Sequence, residues 1–132
     1  MTSCADDIAE YLEDQTLGTV GTNIFAGKMP PTPDLAISLF NYAGQPPDVV
    51  ADDYETQGLQ IKVRGATLLA GWDAALVKIN SIYKALHGLT NATIESKSYH
   101  YIYATGSPMQ MGFDELERPL FAVNFMVIKQ FD

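Results

Sequence analysis

The stretch Leu120-Phe121-Ala122-Val123-Asn124-Phe125-Met126-Val127-Ile128 constrains the fold more than any other part of this chain. Extended, it puts Phe121, Val123, Phe125 and Val127 on one face and Ala122, Met126 and Ile128 on the other. Successive strand residues point to opposite faces, so a half-exposed strand alternates apolar with polar. A strand apolar on both sides is central in its sheet, or it is covered by a helix on one face and by a partner on the other. The rest of the chain has to supply that sheet and that cover.

Other segments carry strand patterns. Asp34 to Phe40 alternates with Leu35, Ile37 and Leu39 on one face, and Leu59 to Arg64 alternates cleanly before Gly65 ends it. A shorter strand includes Asn23-Ile24-Phe25-Ala26, and alternation returns in Thr93-Ile94-Glu95 and from Tyr99 to Tyr103. The prolines of Met29-Pro30-Pro31-Thr32-Pro33 exclude a central strand and predict an extended loop. From Tyr99 onward the pattern predicts two long strands joined by an acidic turn, Asp114-Glu115-Leu116-Glu117, followed by Arg118-Pro119.

Two segments have helical period. Ser3-Cys4-Ala5-Asp6 has capping-box spacing, and Cys4, Ile8, Tyr11 and Leu12 follow on one face, so a helix spans Ser3 to Asp14. Trp72, Leu76, Ile79, Tyr83 and Leu86 define a second helix from Leu68 to His87, with Gly88 as its C′ residue. The order α-β-β-β-α-β-β predicts an α+β fold: one domain over residues 1–132, with a mainly antiparallel (mixed) sheet and two helices packed on one face.

Charge narrows the function. The chain has a net charge of −8, and its only arginines are Arg64 and Arg118. That argues against a role led by phosphate-backbone contacts, which needs clustered cations. No apolar run reaches the roughly 20 residues of a membrane-spanning helix. The N-terminus carries acids where an export signal carries bases, so folding in a reducing cytoplasm is expected. The single Cys4 excludes an internal disulfide framework and a cysteine-based zinc site.

A search for catalytic chemistry returns none. His87 sits near a helix C-terminus, His100 lies between two tyrosines, and neither has a neighbour at metal-ligand spacing. Gly106-Ser107-Pro108 lacks the Lys and spacing of a phosphate loop, and there is no G-x-S-x-G elbow. Neither a metal nor a cofactor is expected. Asp48, Asp52, Asp53 and Glu55 lie in a long polar stretch, 44–58, that reads as a solvated loop or a contact arm and lacks the order of a calcium loop. Tyr99, Tyr101 and Tyr103 form an aromatic ladder, but a base-stacking platform needs a basic groove and only Lys97 is near. A half-buried sheet face or a subunit contact is the better reading.

Taken together, these segments resemble the tail terminator (minor capsid) proteins of long-tailed bacteriophages. The resemblance rests on the short acidic N-terminal helix, on Phe25-Ala26-Gly27-Lys28-Met29-Pro30 and on Gly58-Leu59-Gln60-Ile61-Lys62-Val63-Arg64-Gly65. It continues through Pro108, Gly112-Phe113-Asp114-Glu115, Arg118, Phe121 and Val123-Asn124-Phe125. It implies a non-enzymatic virion protein at the head–tail junction. Six copies are expected to form a ring that caps the tail tube, ends its polymerisation and meets the head connector or stopper, with DNA only passing through the lumen. Assembly is expected in the host cytoplasm, away from membrane. Another neck or tail-completion protein on a similar fold is the alternative. A small enzyme built from separated acids and His100 is a third reading. The scarce arginines and the charged turn suggest Arg64, Asp114, Glu115, Glu117 and Arg118 as subunit-interface residues, with Asp48, Asp52, Asp53 and Glu55 as a possible contact loop.

Overall fold

In a computed structural model, residues 3–46 and 54–131 are described. The two-sided apolar segment forms the longest strand and stands inside the sheet. The elements are α1 (Cys4–Asp14), β1 (Ile24–Ala26), β2 (Ala36–Tyr42), β3 (Tyr54–Arg64), α2 (Leu69–Leu86), β4 (Leu89–Ile94), β5 (Lys97–Ala104), β6 (Met109–Phe113) and β7 (Pro119–Gln130). The strands lie in the order β1-β2-β3-β7-β5-β4, and β6 pairs beside β7. Among these strands β1 and β2 run parallel, and the other pairs are antiparallel. This is the mixed α+β sheet expected, with a β4–β5 hairpin following α2. The short strand β6 falls between β5 and β7, so the acidic turn joins β6 to β7.

Register explains the core. Ile37, Val63 and Phe121 stand in one cross-strand row, and Leu39, Ile61 and Val123 in the next. These side chains are buried with Ile8 and Leu12 of α1 and Ile79, Ile82 and Leu86 of α2 in one cluster, so both helices cover the same sheet face. Ser3 caps α1 as expected: its hydroxyl accepts from the Asp6 N–H, and the Asp6 carboxylate accepts from the Ser3 N–H.

The second helix differs in rotation from its sequence pattern. Its buried face is Gly71, Ala75, Ile79, Ile82 and Leu86, while Leu76 faces solvent and Trp72 lies at the margin. Small residues decide this. A Cβ on Gly71 would stand 2.2 Å from the Ala66 carbonyl oxygen, so only glycine permits this approach to the β3 exit. With Gly71 and Ala75 turned inward, Leu69, Leu76 and Val77 turn outward.

The tyrosine ladder is broken. A bulge between Tyr99 and Tyr101 gives Tyr99 opposite Lys129 but Tyr101 opposite Ile128, which reverses the faces across His100. Tyr99 turns into the core, where its hydroxyl donates to Asp7 at 2.6 Å. Tyr101 and Tyr103 stay on the helix-free face, stacked at 5.3 Å.

Candidate assembly surface

On the other sheet face no helix packs against β7 and its neighbours among the described residues. Met126 and Ile128 of β7 lie there with Phe40, Tyr42, Tyr101 and Tyr103, all partly exposed. Tyr42 lies across Gly58, its cross-strand partner, and reaches the Phe125 carbonyl oxygen at 3.5 Å. A Cβ at position 58 would be 2.2 Å from the Tyr42 ring, so the glycine is what lets the aromatic side chain lie flat.

At one end the 29–34 loop folds over this face and both arginines hold it down. Arg64 donates to the carbonyl oxygens of Pro33 at 2.6 Å and Asp34 at 3.1 Å. Arg118 donates to the Pro31 carbonyl at 2.7 Å, to Asp34 Oδ1 at 3.2 Å and to Asp114 Oδ2 at 2.7 Å. The Ser38 hydroxyl meets Met29 Sδ beneath the same loop. Burial and the neighbouring Arg118 charge lower the pKa of Arg64, while Asp114 and Asp34 pull it back up.

The acidic turn is organised by one carboxylate. Asp114 Oδ1 accepts from the Leu116 and Arg118 N–H groups, both at 2.9 Å, while its other oxygen takes the Arg118 guanidinium. Desolvation pushes the Asp114 pKa up, but the hydrogen bonds from Arg118 and Leu116 and the Arg118 charge outweigh it, so the net shift is downward. Glu117 adopts a φ of +61°, the left-handed conformation that closes the turn. The apex presents Glu115, Leu116 and Glu117 to solvent.

The residues singled out in the sequence therefore divide. Arg64 and Arg118 are 3% and 6% exposed, so they brace the loop and turn from within. Glu115 and Glu117, by contrast, are exposed. Glu55 lies in strand β3 rather than in a loop, and it accepts from Gln57 and Lys129. Asp48, Asp52 and Asp53 lie outside the described residues. His87, at the C-cap of α2, accepts the Ala104 N–H at the end of β5 through Nδ1. His100 is exposed, its ring 5.4 Å from that of Tyr54. Among the described residues no three His, Cys, Asp or Glu side chains converge as metal ligands, and no helix is long and apolar enough to cross a membrane.

What the sequence reading missed is a groove of about 680 Å³ between the loop, the turn and the sheet. Phe40, Leu116, Leu120, Met29 and Pro31 give it apolar walls, and Lys62 supplies a cation. The depression continues past Phe40 and Lys62 to Tyr42, Gln60 and Asn124. Phe40 and Lys62 stand on the polar-looking face of their alternating strands, and that alternation hid the site.

A family profile described as bacteriophage tail terminator protein matches residues 11–131 of this chain. The chain belongs to the bacteriophage tail terminator family. Membership makes it a structural protein of the phage tail. Solved structures agree on the fold of this tail terminator family member. A chain in the virion of a native gene transfer agent (GTA) particle superposes with a TM-score of 0.63 at 16% identity, covering 98% of this chain and 96% of that one. A second solved chain superposes with a TM-score of 0.57 at 12% identity, covering 96% and 90% respectively. No curated protein matches the sequence.

Proposed function

We propose that this tail terminator family member forms a ring of identical subunits, expected to be a hexamer, that caps the tail tube and ends its polymerisation. The ring then offers the surface on which the head connector or stopper docks, with DNA passing through its lumen. The observation that carries this reading is the half-covered β7 strand. Helices shield Phe121, Val123, Phe125 and Val127, while Met126 and Ile128 on the other face are partly exposed and meet no second layer among the described residues. An exposed face rich in aromatic and apolar side chains is the usual mark of a protein contact.

The exposed apex at Glu115, Leu116 and Glu117 adds a projecting, charged contact element supported from within by Asp114 and Arg118. Assembly would take place in the host cytoplasm and leave the protein in the virion at the head–tail junction. Electron microscopy of tails made without the protein tests the role. Overlong tubes are expected, and tubes of normal length that join heads normally would refute it.

A further inference from the structure

α2 is apolar on more than its buried face. Leu69 and Val77 are 76% and 66% exposed, and with Leu76 they form an outward stripe in the helix's N-terminal half. A surface helix normally turns polar residues outward, so this stripe lacks the cover its composition calls for. Asp73 stands between Leu69 and Val77 at i+4 and i−4, exposed and with no ion-pair partner among the described residues. Leu68 at the N-cap gives the first turn no side-chain cap, and the Leu68 carbonyl takes the Gly71 and Trp72 N–H groups.

The groove on the opposite sheet face has the complementary needs. Its walls are mostly apolar, and of its charged residues Arg64, Arg118 and Asp114 are bonded within the subunit and Glu115 stands at the turn. Lys62 has no carboxylate partner among the described residues, only the Phe40 ring at 5.5 Å.

We propose that the outward stripe of α2 on one subunit docks in the helix-free groove of the next, with Asp73 meeting Lys62. The occupant is a second copy of this chain because the apolar stripe carrying Asp73 and the largely apolar groove carrying Lys62, neither of them ion-paired among the described residues, are on the same molecule. They face opposite ways, since α2 and the groove lie on opposite faces of one sheet. Two different patches facing apart generate a head-to-tail contact, which closes into a ring when the rotation allows. The assignment rests on the ring reading above and specifies its interface.

A charge swap tests it, with assembly followed by light scattering and folding by circular dichroism. Lys62→Glu and Asp73→Lys alone should each weaken association about tenfold, roughly 1.4 kcal/mol per contact, and the two combined in one chain should restore it. Leu69→Asp should weaken association at least about 30-fold, as for a buried apolar anchor. Mixing Leu69→Asp with Lys62→Glu leaves one intact contact per pair, so dimers and nothing larger should appear. If the wild type forms rings and the Leu69→Asp and Lys62→Glu variants form them equally well, the contact is wrong and the ring stands. If the wild type stays monomeric up to about 1 mM, both fall.

Discussion

Replacing Asp114 with alanine removes the organiser of the β6–β7 turn. Three hydrogen bonds disappear: two from backbone N–H groups at 2.9 Å and one from the Arg118 guanidinium at 2.7 Å. Removing one partner of a buried ion pair costs about 3–5 kcal/mol. Here Arg118 keeps the Pro31 carbonyl and Asp34, and the Asp114 side chain is 20% exposed, so about 2–4 kcal/mol is expected. At this chain length that lowers Tm by roughly 8–15 °C. Asp114→Asn keeps an acceptor for the two N–H groups and loses the charge, so it should fall about midway. The folded-state pKa of Asp114 is depressed, so its contribution is fully present above the unfolded carboxyl pKa of about 3.9. It is lost as pH falls from there through the folded value. The Tm gap between wild type and Asp114→Asn should therefore be full at pH 7 and shrink below about pH 4. A gap equal at pH 7 and pH 3, or an Asp114→Ala protein melting with the wild type, refutes the assignment.

Other substitutions separate packing from assembly. Gly58→Ala forces the Tyr42 ring off the sheet and should cost about 1–3 kcal/mol in urea unfolding, with weaker assembly because the open face is reshaped. Tyr99→Phe removes the hydroxyl that donates to fully buried Asp7 and should cost about 1–3 kcal/mol, measured by chemical denaturation. Arg64→Glu places a carboxylate against the Pro33 and Asp34 carbonyls; the subunit itself should lose stability, by about 3 kcal/mol or more, so a melt detects it without any assembly assay.

Much of the fold was legible because it follows from periodicity. The two-sided apolar run read as a strand that is central or covered on both faces, and it is β7, paired with β3 on one side and with β5 and β6 on the other. Capping chemistry placed the start of α1. The misreadings have local causes. Large apolar residues at helical spacing suggested the buried face of α2, but close packing against the β3 exit selects for the smallest side chains. The His100 bulge is a single inserted residue that alternation alone does not reveal, and it reverses every face before it. The arginine roles were hidden because the acceptors are main-chain carbonyls of a proline-rich loop, which carry no sequence signature. The groove needed three separate segments brought together, and no one of them looks like a site.

The placement of charge predicts how assembly responds to salt. Arg64, Arg118, Lys78, Lys97 and Lys129 all bond within the subunit, to carbonyls or to Asp7, Asp34, Glu55 and Asp114. Most of the cations on a chain of net charge −8 are thus spent internally, and exposed acids such as Glu95, Glu115 and Glu117 dominate what a neighbour meets. Glu10 shows the crowding: desolvation raises its pKa, and so does repulsion from Glu13, Glu95 and Asp14. Subunits of like charge approaching one another repel over a Debye length, about 10 Å at 0.1 M salt and 3 Å at 1 M. An interface whose energy came from ion pairs would weaken on adding salt. One whose energy comes from the sheet face and the α2 stripe, with a single Asp73–Lys62 pair fixing register, should strengthen as the repulsion is screened. Light scattering across a sodium chloride series reads this directly. Association that falls steadily with salt would mean that charge pairing drives the contact, and that the apolar surfaces described here do not.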